Sequence, residues 1–271
     1  MMTDTNEQVA IAAVELSKRF DRFTALDRLN LTVRRGLIFG LLGPNGAGKS
    51  TAIKIFTTLL DASAGSAIVA GFDVGAEPVE VRRRIGYVPQ SLSADGALTA
   101  TENLKLSARL HGLRGAQCAA RVSEALDFAG LVEVAGKLVR TYSGGMIRRL
   151  EIAQATLHYP EVLFLDEPTI GLDPIARRTV WDRLRQLRQA KGTTILITTH
   201  DMEEADVLCD ELAILHQGRL AAIGKPEELK AQIGPEATLD DVFVHFSGAV
   251  IESGGSYRDV RESRNAIQRL R

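Results

Sequence analysis

Cysteine is scarce in this sequence: two residues in 271, Cys118 and Cys209, with no close spacing between them. That count excludes a disulfide framework and a cysteine-rich metal site, and it fits reduced core thiols in a cytosolic protein. No apolar run approaches the roughly 18 residues of a membrane span. The opening MMTDTNEQ is acidic and polar, without the basic and apolar regions of a secretory signal. Excess charge is lacking too, since the formal net charge is -1. Bulk electrostatics therefore gives no sign of nucleic acid as a partner. No internal repeat is present. If such a chain serves a membrane, it is expected to do so from the cytoplasmic face, through a partner.

What remains is ordinary for a globular protein: 45% hydrophobic and 25% charged residues, in a length that holds one large domain or a domain with a subdomain. Residues 1–8 read as a loose tail. Val9 to Leu16 and Leu29 to Val33 read as strands, and Leu37 to Leu42 suits a fully buried strand of a parallel sheet. A helix is expected from Gly48, with Ile53, Phe56 and Leu60 on one face. Gly86 to Gln90 reads as a further short strand. From about 91 to 159 the pattern becomes helical, opened by Thr99-Ala-Thr-Glu102 at capping-box spacing, so this stretch reads as a helical insertion. Strands return at Val162 to Leu165 and Thr193 to Thr198, with a helix from about Pro174 to Ala190 between them. Strand–helix–strand alternation predicts a doubly wound α/β core. Beyond Gly224 the pattern is less regular, and from Ser253 it is rich in Gly, Ser and charge, which predicts a disordered end.

Three strand ends carry chemistry. Gly43-Pro44-Asn45-Gly46-Ala47-Gly48-Lys49-Ser50 has the P-loop spacing. Glycines let the backbone wrap so that its N–H groups converge on phosphates; Lys49 supplies a point charge to the β- and γ-phosphates; Ser50 offers a hydroxyl to Mg²⁺. The second is Val162-Leu-Phe-Leu-Asp166-Glu167, four apolar residues ending in two acids. A carboxylate at the end of a buried parallel strand lies at the ligand-binding edge of the sheet. Asp166 is the candidate Mg²⁺ ligand, and Glu167 the candidate to face the attacking water. The third is Thr198-Thr-His200, whose imidazole would reach a γ-phosphate oxygen. Gln90 ends the short strand before the insertion, placing its amide within reach of metal or water.

A second anion-binding pattern follows much later. Tyr142-Ser143-Gly144-Gly145-Met146 puts a hydroxyl residue and two glycines before a helix expected to start just after Gly145. One phosphate site would suffice for one nucleotide. Taken in order, GPNGAGKST, YVPQ, YSGGM, LFLDEPT, GLDP and TTH resemble the ATP-binding cassette of ABC transporters, over about Val9 to Gly224. The resemblance implies a P-loop NTPase core with a parallel sheet, an N-terminal antiparallel β subdomain and an inserted α-helical subdomain. It also implies an ATPase domain over 9–225 and a C-terminal appendage over 226–271. ATP and Mg²⁺ are the implied cofactors, with Thr51 near the α-phosphate, and Lys49, Gln90, Glu167 and His200 as the catalytic set. Ser50, Gln90 and Asp166 form the metal set.

The resemblance further implies that Ser143, Gly144 and Gly145 close over the ATP of a second cassette, with Asp173 of GLDP crossing the same interface. Phe20 is the implied adenine-stacking ring, with Phe23 as its competitor. Met146 stands where Gln is usual, and the variant resembles the drug-resistance and export branch. Leu239-Asp-Asp-Val-Phe243, followed by Ser247-Gly248, resembles the ending of exporter ATPase subunits. The implied partners are an integral membrane permease subunit and a second, identical cassette, with no nucleic acid. Importers use a similar motor, and soluble relatives couple the same switch to nucleic acid or ribosomes.

Overall fold

The computed structural model describes residues 8–247. The chain opens with a long hairpin, β1 (Val9–Phe20) and β2 (Phe23–Arg34), then runs through β3 (Ile38–Leu42) into α1 (Lys49–Phe56). Next come β4 (Ala64–Val69), β5 (Phe72–Asp73), α2 (Pro78–Arg84) and β6 (Ile85–Val88). Three helices follow: α3 (Ala100–Leu110), α4 (Gly115–Ala129) and α5 (Gly144–Thr156). The chain re-enters the core at β7 (Val162–Asp166), α6 (Pro174–Lys191), β8 (Thr194–Thr199) and α7 (Met202–Leu208). It closes with β9 (Glu211–His216), β10 (Arg219–Gly224), α8 (Pro226–Ile233) and α9 (Leu239–Ser247).

Two sheets result. One is antiparallel, in the order β2-β1-β4-β5; the other has the order β10-β9-β3-β8-β7-β6 and is parallel from β9 to β6. β3, β7 and β8 are buried along their whole length, as central parallel strands covered on both faces should be. One apolar core lies around α1 and includes residues of both sheets. A second fills the space among α3, α4 and α5, and a third joins β7 and β8 to α6 through Trp181 and Leu184. Because β3, β7 and β8 run in parallel, their C-terminal ends deliver Gly43, Glu167 and His200 to one edge of the sheet.

Several local expectations are corrected. β1 and β2 are longer than the alternation suggests, because their pairing is irregular: register shifts interrupt the ladder, and Glu15 and Arg28 take positive φ of 50° and 51°. α1 stops at Phe56, so Leu60 lies beyond it and packs against the core from the following loop. The stop is a Schellman-type cap. Thr58 adopts φ 61°, Leu59 N–H donates to Lys54 O at 2.8 Å, and Thr58 N–H donates to Ile55 O at 3.0 Å. After Gly224 the chain is regular: α8 and α9 cover β9 and α7 through Leu229, Leu239 and Val242. Thr238 and Asp241 exchange backbone–side-chain hydrogen bonds at the start of α9, a capping box. The segment from Ser253 lies outside the described residues.

One buried polar feature predicts a pH response. His158, following α5, stacks on His111 with centroids 3.8 Å apart, and its Nε2 lies 3.0 Å from Ile85 O. Burial, aided by the nearby His111, pushes the His158 pKa down to about 4; burial also lowers His111. The unfolded chain, with histidine near about 6.5, then binds more protons than the folded one as pH falls. The stabilising effect of neutral His158 is complete above about pH 6.5 and is lost as pH drops toward 4. The urea midpoint is expected to fall between pH 7 and pH 5, and to fall less in His158→Gln, which keeps a donor for Ile85.

Candidate active site at the strand ends

The P-loop wraps as its glycines require. Gly43 sits so close to β9 that a Cβ there would lie 2.4 Å from Leu215 O. Gly48 combines φ 103° with a would-be Cβ contact of 2.5 Å to Ala25 O, so only glycine fits. Asn45 and Gly46 form the exposed tip, Pro44 is half-buried and Ala47 is buried. Lys49 and Ser50 open α1, with Thr51 in the same turn. Lys49 is 4% exposed. Its ammonium donates to Gly43 O at 2.7 Å and Pro44 O at 3.2 Å, and stands 3.4 Å from Glu167 Oε1. Burial lowers its pKa, and the Glu167 carboxylate opposes that shift.

Asp166 ends β7 opposite Thr198 of β8. Its Oδ1 accepts from Ser50 Oγ at 3.0 Å and from Thr198 Oγ1 at 2.6 Å. A carboxylate and a hydroxyl oxygen thus converge beside the phosphate loop, a donor pair that suits a hard cation such as Mg²⁺. Among the described residues no cluster of three or more His, Cys, Asp or Glu could hold a metal alone, so a Mg²⁺ here needs nucleotide oxygens and water to complete its shell.

Glu167 occupies the centre. It is 6% exposed and has φ 48°, a left-handed backbone that a non-glycine residue holds only under constraint. The constraint comes from β8: Glu167 N–H donates to Thr198 Oγ1 at 3.0 Å and to Thr198 O at 3.2 Å. Its carboxylate meets Lys49, receives Gln90 Nε2 at 3.4 Å and lies 3.2 Å from His200 Nδ1. Six of the residues expected from sequence, Lys49, Ser50, Gln90, Asp166, Glu167 and His200, therefore share one site.

The P-loop backbone and Thr51 border it, while Ser143, Gly144, Gly145, Asp173 and the two hairpin rings form no part of it. Ser143 caps α5, its Oγ accepting from Met146 N–H at 3.3 Å, so the helix begins at Gly144 rather than after Gly145. Ser143 and Gly144 are exposed, and a Cβ on Gly145 would lie 2.7 Å from the Cβ of Ala176, so α5 starts directly against α6. Asp173 caps α6, accepting from Ile175 and Ala176 N–H at 3.0 Å each. Among the described residues no hydrogen bond joins Ser143, Gly144, Gly145 or Asp173 to the P-loop. Phe20 and Phe23 end the first hairpin, 43% and 60% exposed, so neither ring belongs to the core. Lys18 Nζ lies 5.1 Å from the Phe20 centroid.

Sequence reasoning missed two supports. Thr198 reads as one β-former among several, yet it holds both acids. Thr198→Val keeps the shape and removes one hydroxyl; turnover is expected to fall about tenfold with the fold retained, as steady-state kinetics and circular dichroism would register. Glu204, buried in α7, accepts from Thr169 Oγ1 at 2.8 Å and Trp181 Nε1 at 2.9 Å, tying down the turn that follows Glu167. Burial raises its pKa.

Comparison with known proteins agrees with this geometry. The family described as "ABC transporter" matches residues 26–170. A second description, "AAA domain, putative AbiEii toxin, Type IV TA system", matches the shorter span 138–206. The chain is 47% identical to the daunorubicin/doxorubicin resistance ATP-binding protein DrrA of Streptomyces peucetius, over 85% of this chain and 70% of that one. It is 46% identical to the Nod factor export ATP-binding protein I of Ralstonia nicotianae, over 81% of this chain and 68% of that one. A solved ATP-binding subunit of an ABC transporter aligns with a TM-score of 0.78 at 32% identity, covering 88% of this chain and 99% of that one. A dimeric cassette in a post-hydrolysis state with ADP and Pi aligns with a TM-score of 0.72 at 26% identity, covering 79% of this chain and 98% of that one. The chain belongs to the ABC transporter family, as an ATP-hydrolysing, nucleotide-binding cassette.

Proposed function

We propose that this cassette is the motor of an exporter, working as a twofold pair of identical chains at the cytoplasmic face of a membrane and driving a separate membrane subunit. One observation carries the paired reading. The chain assembles P-loop, Asp166, Glu167 and His200 at one edge, while Ser143 and Gly144 of its second anion-binding turn stay exposed and, among the described residues, make no hydrogen bond to that edge. Beside that turn, Ile170 is 45% and Ile175 80% exposed, apolar surface that a second copy would cover.

Within each composite site the P-loop amides and Lys49 hold the phosphates of ATP, and Lys49 gives up its contacts to Gly43 O and Pro44 O in doing so. Ser50 and Asp166 hold Mg²⁺, which neutralises developing charge when bound. Glu167, with Gln90 beside it, orients the attacking water, and His200 donates to a γ-phosphate oxygen. Phe20 offers its ring face to adenine. The partner chain's Ser143 and helix N-terminus supply the remaining N–H donors. Phosphate loss removes what the partner binds, so the pair opens.

Export, rather than import, is supported by the similar proteins, one a drug-resistance and one a Nod factor export ATP-binding protein. Among the described residues no helix is long and apolar enough to cross a membrane, and in this reading a separate membrane subunit does so. The test is gentle affinity purification from solubilised host membranes. Recovery of one multi-span protein in near-equal amount supports the reading; recovery of ribosomal or nucleic-acid proteins instead would overturn it.

A further inference from the structure

We infer that Arg148 and Glu151 are positioning residues for hydrolysis, acting through Gln90 by clamping its loop to the helix that Ser143 caps. Both sit on one face of α5, three residues apart, and both are nearly inaccessible, at 2% and 3% exposure. Arg148 Nη1 donates to Pro89 O and Nη2 to Gln90 O, each at 2.7 Å. Glu151 Oε1 takes the next turn of the same loop, accepting from the Ser93 amide, from Ser93 Oγ at 3.1 Å and from the Ala94 amide at 3.3 Å. The pair also contact one another, Nη1 to Oε2 at 3.0 Å. So the loop is gripped on both sides of Leu92 by one rigid helix.

A charged pair is a costly way to hold a loop. Arg148 Nε and Glu151 Oε2 are buried without a hydrogen-bond partner, and burial lowers the Arg148 pKa. Apolar side chains of similar volume would often hold such a position as well or better. What they would not do is fix two successive carbonyls in one plane, which the guanidinium fork does. Those carbonyls belong to Pro89 and Gln90, and the Gln90 amide is the one that meets Glu167. Arg148 lies about 7.5 Å along the axis from Ser143, at about 1.5 Å per residue. A movement of α5 that follows nucleotide capture at its N-terminus is therefore carried to Gln90 by a helix rather than by a flexible chain.

This rests on the reading of Gln90 as part of the ATP site, and a double-mutant cycle separates the two. Arg148→Lys keeps the charge but reaches one carbonyl at a time; Glu151→Gln keeps the amide acceptor and removes the counter-charge. Each is made alone and with Gln90→Ala, and kcat, KM and ATP affinity are measured on the full chain. Either clamp variant is expected to lower kcat about tenfold with ATP affinity held within about threefold, and to lower it by less than about twofold once Gln90 is Ala. Equal losses in both backgrounds would show a merely structural role and overturn the inference. Loss of ATP binding along with turnover, or no loss of kcat, would do the same. If Gln90→Ala alone leaves kcat unchanged, the assignment of Gln90 fails first, and the clamp with it.

Discussion

Replacing Glu167 by Gln is expected to lower ATP turnover by about two to three orders of magnitude, with ATP still bound tightly. The substitution preserves size and one acceptor oxygen, so Gln90 and His200 keep a partner. It removes the negative charge that faces the water and that balances the buried ammonium of Lys49. Without that charge, the nucleotide-free site holds Lys49 buried with only Asp166 as a counter-charge and no ion-pair contact to it, and the phosphates of ATP become its best partner. The variant is expected to accumulate as an ATP-bound dimer, read as a doubling of mass by light scattering. A monomer at saturating ATP would contradict the paired reading, and unchanged turnover would remove Glu167 from the chemistry.

Lys49→Met is expected to act on the other side of the same contact. Methionine fills a similar volume in a position that is 4% exposed, so the nucleotide-free fold should persist. The variant loses the charge aimed at the phosphates, and turnover is expected to fall about a thousandfold. Binding offers a cleaner readout. ATP at about a hundred times its Kd stabilises a protein by about 2.7 kcal/mol, so the Tm of the native chain should rise with MgATP. The Lys49→Met chain should melt at its nucleotide-free Tm at every ATP concentration tested. A full ATP-dependent rise would show that Lys49 does not hold the nucleotide.

The parallel core and its phosphate loop were legible because buried strands, glycines and strand-end acids each have one common physical use. Other features were hidden for specific reasons. The stop of α1 uses Thr58 in a left-handed conformation where glycine would have announced it. The bulges of β1 and β2 break the alternation that marks a strand. Thr198 is silent because a threonine in a buried strand looks like any β-former, and its two hydrogen bonds to the acids exist only once β7 and β8 are paired. Arg148 and Glu151 have the spacing of an exposed helix pair; only the packing of α5 on the Gln90 loop buries them. The signature turn was legible as an anion site, but its helix starts two residues earlier than the glycines suggest, since Ser143 caps it directly.

The central claim is that each hydrolytic site takes its P-loop from one chain and its Ser-Gly-Gly turn from another. Mixing two inactive variants tests it most directly. Lys49→Met spoils the P-loop and leaves the turn. Gly144→Glu puts a negative charge at the turn, where a Cβ meets nothing closer than Leu172 at 3.6 Å, and leaves the P-loop. Neither should hydrolyse ATP alone. Together they should recover a substantial part of the native rate, because the mixed pair contains one intact composite site. A mixture no more active than its two parents would place both halves of the site on the same chain and contradict the claim.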